Sequence, residues 1–162
     1  MRERVWLGLG ANLGDPAAQI AGALESLGAD SRFELLRVSE LIETDPVGGP
    51  AGQPVFLNAV AEVLWSAEPE PLLELLHAVE ESFGRQRLVP NGPRTLDLDL
   101  LLFGDRRVDG PRLTIPHPRM AQRTFVLGPL ASLEPGLRIP GHGRSVGELL
   151  AALISSEAVS VS

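Results

Sequence analysis

The 162-residue chain contains no cysteine and no tyrosine, and all 14 of its basic residues are arginine. Without cysteine it has no thiol nucleophile, thiolate zinc centre, iron–sulfur cluster or dithiol redox motif, and the sequence reads as cytoplasmic. Without lysine, a P-loop, a protein-kinase ATP site and a Schiff-base enzyme are all excluded, because each needs an ammonium group. No apolar run approaches the ~18 residues of a membrane span, and the opening MRERVWLGLGANLGD has only a short apolar stretch. The expectation is a protein that is neither secreted by a signal peptide nor membrane-spanning. At this length one domain, spanning 1–162, can bury roughly 68–70% of its unfolded surface, so no structural metal or disulfide is needed.

The net charge of −7 argues against a general nucleic-acid surface, but the charge is unevenly placed. From Arg85 to Arg123 eight arginines face four aspartates, net +4, whereas the rest carries six arginines and 17 acids, net −11. Clustering by chance is one explanation. The other is a planar, bidentate anion site of the kind arginine favours for phosphate.

Val5 to Gly10 is a short apolar run that predicts a buried strand. Asp15 and Pro16 then open a helix with Ile20, Leu24 and Leu27 on one face and Gly28 at its end. A strand over Phe33 to Ile42, a Pro/Gly-rich loop from Asp45 to Pro54 and a long strand from Val55 to Trp65 follow. Pro69 to Phe83 has helical spacing, and the stretch RQRLVPNGP reads as irregular. The strand TLDLDLLLF precedes a hairpin around Gly104 to Thr114. Two short helices complete the pattern, one near Met120 to Leu133 and one opened by a Ser145/Glu148 capping box; the last six residues read as frayed. The order β-α-β then β-α-β is ferredoxin-like, class α+β. It predicts an antiparallel sheet with helices on one face and the other face open for a ligand.

In Leu96-Asp97-Leu98-Asp99-Leu100 the period of two puts three leucines on one face and both aspartates on the other. Like charges held so close need a cation between them, and hard oxygen donors suit magnesium rather than zinc. Two such carboxylates can bridge a pair of ions ~3.5–4 Å apart, as in phosphoryl-type displacements. The bland alternative is a solvated amphipathic strand. Against it stands Arg94, which puts an anion-binding group three residues upstream. On the second long strand Phe56 and Asn58 share a face, a pairing that suits a flat, hydrogen-bonding heterocycle, although each residue is also common in cores. GLGANLG resembles a dinucleotide fingerprint, but its third glycine falls one place late and the reading is set aside. His77 and His142 read as structural, while His117, between two prolines in the arginine-rich segment, is better placed to meet phosphate.

The run GPRTLDLDLLLFG, with GANLG upstream, TDPVG and FLNAV in the middle, and RLTIPHPRM then RTFVLGPL downstream, closely resembles the 6-hydroxymethyl-7,8-dihydropterin pyrophosphokinases of folate biosynthesis. The similarity runs from about Val5 to Leu150. It implies a ferredoxin-like α+β fold, two magnesium ions, and transfer of the β,γ-pyrophosphoryl group of ATP to the pterin hydroxymethyl with release of AMP. By resemblance, Asp97 and Asp99 bridge magnesium, and Arg94, His117 and Arg123 face the triphosphate. Leu100, Arg112 and Thr114 line the ATP site. Thr44, Val47 and Asn58 contact the pterin edge, with Phe56 and Phe125 as stacking rings. Glu80, Arg85 and Arg87 match a helix end and an arginine loop near ATP, and Arg85 joins Arg94 as a catalytic candidate. Phe56 stands where tyrosine is familiar in the family. Pro90 and Asn91 stand where relatives often carry a basic residue and tryptophan. The partners implied are ATP and the reduced pterin, with no nucleic acid and no membrane, and a monomer as the expected state.

Attack on the β-phosphorus needs a proton acceptor, either Asp97 or solvent. Two alternatives of other classes fit the same residues: a ferredoxin-like module that binds a small anion without turnover, and a nucleotide phosphohydrolase using the same aspartates with water.

Overall fold

The computed structural model describes residues 2–12, 15–44, 56–83 and 96–161, with backbone alone for 157–161. Its elements are β1 (Glu3–Ala11), α1 (Pro16–Gly28), β2 (Phe33–Val38), β3 (Ile42–Thr44), β4 (Phe56–Trp65), α2 (Pro69–Ser82), β5 (Asp97–Phe103), β6 (Val108–Asp109), β7 (Thr114–Ile115), a 3₁₀ turn (Met120–Gln122), α3 (Thr124–Leu133) and α4 (Val146–Val161). The main sheet runs β2-β4-β1-β5 with β3 also on β4, and β1 pairs antiparallel with both β4 and β5. This is the expected α+β class. The local signals act as read: Asp15 accepts from Ala18 N at 3.2 Å to cap α1, and Ser145 and Glu148 exchange the two bonds of a capping box at the start of α4.

Alternation along the strands divides the core in two. Val5, Leu7 and Leu9 of β1, Ala59, Ala61 and Val63 of β4, and Leu98 and Leu100 of β5 face α1 and α2. Trp6, Val60 and Leu101 face the other way and are covered by α3, α4 and the 3₁₀ turn. The second face is therefore only partly open. Leaving Trp6 and Val60 uncovered would expose a large apolar patch, and the C-terminal helices bury both to 2% or less. The 16-residue α4 is also longer than the short helix expected, and its backbone continues to Val161.

The single strand expected over Phe33 to Ile42 is broken into β2 and β3. Both pair with β4, but β2 bulges between Leu35 and Arg37. At the break Ser39 takes over the ladder, its backbone N donating to Val60 O at 2.9 Å and its Oγ accepting from Val60 N at 2.9 Å. A side-chain oxygen thus replaces a main-chain partner, and the chain can shift register without leaving a buried N–H unpaired.

Candidate active site

Trp6, Gly8 and Gly10 alternate on the second face of β1, and the tryptophan packs into the cluster formed with the C-terminal helices. Register sets Gly10 between Asn58 of β4 and Asp97 of β5, and Gly8 between Val60 and Asp99. Ile42 of β3 lies beyond Asn58, and Thr44 lies opposite Phe56. One rank therefore crosses four strands as Ile42, Asn58, Gly10 and Asp97. The amide and the carboxylate are two strand spacings, about 10 Å, apart across a floor with no side chain. The floor is close-fitting at Gly10, where an added Cβ would lie 2.9 Å from Asn58 Oδ1. Asn58 is oriented by its Nδ2, which donates to Thr44 Oγ1 at 2.7 Å.

The two aspartates occupy the positions expected, half-buried while Leu96, Leu98 and Leu100 are buried on the opposite face. Beside them, off the free edge of β5, lies a cleft of about 280 Å³ between α2 and the β6–β7 hairpin. Asp97, Asp99 and Leu100 form its strand wall, and Glu80 and the exposed His77 come from α2. Arg112, Thr114 and His117 close the far side. Seven residues named from sequence thus border one space. Among the described residues no group of three or more His, Asp or Glu forms a ready-made metal cage. An ion held by the aspartate pair would complete its shell with phosphate oxygens and water, which is magnesium's usual habit.

His117 is half-buried and tied to β5, its N donating to Leu101 O at 2.9 Å. Its Nδ1 accepts from Arg119 N at 3.2 Å, so the neutral ring carries its hydrogen on Nε2. Burial, then the positive charges of Arg123 and Arg119, push the imidazole below its ordinary value against the pull of Asp97. Phe125 sits half-buried in the first turn of α3, with the Arg123 guanidinium 5.5 Å from its ring centre. Val47, Arg85, Arg87, Arg94, Pro90 and Asn91 lie outside the described residues.

A model of the 7,8-dihydro-6-hydroxymethylpterin-pyrophosphokinase (HPPK) family matches residues 6–135. The chain belongs to this family. A 2-amino-4-hydroxy-6-hydroxymethyldihydropteridine pyrophosphokinase from Pseudomonas aeruginosa is 49% identical over 152 residues, covering 94% of this chain and 93% of that one. The enzyme of the same description from Bacillus subtilis is 41% identical over 133 residues, covering 82% and 79%. Among solved structures, Plasmodium falciparum HPPK-DHPS with pteroate superposes with a TM-score of 0.74 at 14% identity, covering 96% of this chain. The present chain spans 43% of that longer chain, and the likeness concerns the fold.

Two features beside the aspartates did not stand out in the sequence. Gly8 and Gly10 were visible only as a defective dinucleotide fingerprint, although their alternation with Trp6 was a usable sign of close approach over a strand face. Glu80 matched a position near ATP, and the structure adds a contact with the backbone: its Oε2 accepts from Leu98 N at 2.7 Å. No local pattern announces a contact between residues 18 apart.

Proposed function

We propose that the glycine-bearing face of β1 and the cleft along β5 are two halves of one active centre, with pterin over Asn58 and Gly10 and ATP along the edge of β5. The family's reaction transfers the pyrophosphoryl group of ATP to hydroxymethyldihydropterin. The observation that carries the residue assignment is the shared rank of Asn58, Gly10 and Asp97, which sets an amide and a carboxylate on one face with only a glycine between them. Asn58 and Thr44 fix the edge of the heterocycle, joined by Val47, and Phe56 and Phe125 stack on its faces. Leu100 and Thr114 border the nucleotide base, while Arg112, His117 and Arg123 face the phosphates. Arg85, Arg87 and Arg94 supply the remaining positive charge from the arginine-rich stretch.

Asp97 and Asp99 would hold two magnesium ions, which when bound neutralise the triphosphate. The chain's own part is positioning and charge, the main demands of phosphoryl-type transfer. The pterin hydroxyl oxygen bonds to the β-phosphorus and the bond from the β-phosphorus to the α,β-bridging oxygen breaks. AMP leaves with that oxygen, and the hydroxyl proton passes to Asp97 or solvent. Among the described residues no helix is long and apolar enough to cross a membrane.

The test is incubation with ATP, magnesium and reduced pterin. AMP is expected only when all three are present; release of ADP, or hydrolysis without pterin, would support a phosphohydrolase instead.

A further inference from the structure

Both carboxylates of the proposed centre sit on β5, and β5 is the edge of the sheet. An edge strand has one row of main-chain groups with no strand to pair with. On β5 the N–H of Leu98 belongs to that row. It points away from β1, and it lies between the two aspartates, on a residue only 4% exposed. A buried N–H in this position is costly if left unpaired. Its acceptor is the Glu80 carboxylate, on the last turn of α2 and itself 2% exposed. A glutamate buried to that degree is unusual, because removing a carboxylate from water is costly. Leu76 and Val79 beside it on α2 are simple core residues.

We propose that Glu80 is a positioning residue for the reaction, clamping the Leu98 amide so that Asp97 and Asp99 are held at a fixed height and spacing beside the cleft. This rests on the reading of those aspartates as the pair that faces the triphosphate. On their inner side the aspartates are held by pairing with Gly10 and Gly8 of β1, which have no side chains to brace them. Among the described residues no strand pairs with the outer side, and Glu80 provides a hold there from α2. The clamp grips the central residue of Asp-Leu-Asp, so releasing it lets both carboxylates drift together. A displacement of about 1 Å at a reacting centre costs on the order of a hundredfold in rate.

The experiment compares Glu80→Ala and Glu80→Gln in the full chain by steady-state turnover and by NMR exchange of the Leu98 amide without ligands. Glu80→Ala is expected to lower kcat by roughly ten- to a hundredfold, with a smaller change in KM for ATP, and to speed Leu98 exchange by about tenfold or more. Glu80→Gln offers an amide oxygen to the same N–H and is expected to recover Leu98 protection and most of the lost turnover. Unchanged Leu98 exchange in Glu80→Ala would overturn the proposal. So would a Glu80→Gln protein with a protected Leu98 amide but turnover as low as the alanine variant, since the charge would then act on the substrates directly. If Glu80→Ala does not fold, the glutamine variant decides by the same two readings. Asp97→Asn and Asp99→Asn run beside them separate the two levels: normal turnover there removes the aspartate reading, while Leu98 exchange reports on the clamp independently.

Discussion

Replacing the two glycines of the β1 face by alanine, one at a time, should give opposite results. At Gly8 a new Cβ would lie 3.5 Å from Leu101 Cδ2 and 3.6 Å from Asp99 Cβ, which is ordinary contact. At Gly10 it would lie 2.9 Å from Asn58 Oδ1, and Asn58 cannot turn away without losing its 2.7 Å bond to Thr44. Either change stiffens the unfolded chain, worth about 0.4–1 kcal/mol in favour of the fold. At Gly10 that gain is opposed by about 1–3 kcal/mol of overpacking and by a weakened hydrogen bond of about 0.5–1.5 kcal/mol. Gly8→Ala is therefore expected to be neutral or slightly stabilising. Gly10→Ala should be less stable by about 1–3 kcal/mol, lowering Tm by roughly 2–4 °C for each kcal/mol. Displacing Asn58 should also weaken pterin binding by about 1–3 kcal/mol, roughly 5- to 150-fold in Kd. Calorimetric titration of pterin onto protein saturated with an unreactive ATP analogue measures this, with the analogue alone as the control. A folded Gly10→Ala protein that binds pterin like the parent would refute the geometry, as would an equal stability loss in Gly8→Ala.

Asp97→Ala and Asp99→Ala should each lose roughly 10²–10³-fold in turnover while staying folded, whereas Leu98→Asp should lower the thermal midpoint sharply by putting a charge into the core; near-normal turnover in saturating magnesium would sink the aspartate assignment. Glu62 is buried, which raises its pKa, but hydrogen bonds from Arg37 and Arg4 outweigh burial and hold the carboxyl below its ordinary value. Its contribution to stability is present above the unfolded carboxyl's pKa of about 4.3 and is lost as pH falls through the lower folded value, so Glu62→Gln should flatten the acid limb of a urea-unfolding series. Parallel limbs for parent and variant would contradict this. His117 is lowered by burial first and then by Arg123 and Arg119, so the unfolded chain binds more protons just below pH 6.5 and stability falls as pH drops through that range. An NMR titration should give a midpoint below 6.5 and a neutral ring protonated at Nε2; a midpoint above 6.5 would reverse the sign.

What could be read in the sequence was what is encoded locally. Asp15 with Pro16, the Ser145/Glu148 box and the alternation of Asp97 to Leu100 each act over a few residues, and each appears as expected. The break between β2 and β3 depends instead on Ser39 meeting Val60, 21 residues away, and nothing in the run Phe33 to Ile42 marks it. The covering of the second face has the same origin. Trp6 is separated by more than a hundred residues from the α3 and α4 leucines that roof it, so a strand reading leaves that face open. The site was legible where chemistry demands a side-chain type, as with paired carboxylates, and illegible where it demands a missing side chain or a backbone contact. An added Cβ at Gly10 would meet Asn58 Oδ1, and Glu80 meets the Leu98 amide from a helix 18 residues away.

Several arginines hold a carboxylate while lying against an aromatic ring. Arg4 and Arg37 hold the buried Glu62 and the half-buried Glu134 while lying 5.8 and 5.6 Å from the Trp6 ring centre. Arg37 also donates to Leu133 O at the end of α3. Arg32 pairs with Asp30 and lies 4.7 Å from the Trp65 ring centre, an arrangement that holds the Asp30 carboxyl down at about 2. A planar guanidinium can stack on an indole and still present its edge to a carboxylate; an ammonium has no face to stack. The same pairing occurs within the arginine-rich segment, where Arg106 lies over Phe103 and is matched by Glu68. The local excess of positive charge is thus smaller than the count suggests. Arg112, Arg119 and Arg123 have no carboxylate partner among the described residues. Arg112 borders the cleft, and the other two lie close enough to His117 to lower its pKa. Not every arginine without an ion pair among the described residues lies there: Arg107 packs against Gly141 and Arg138 donates to Gly143 O, both away from the cleft lining.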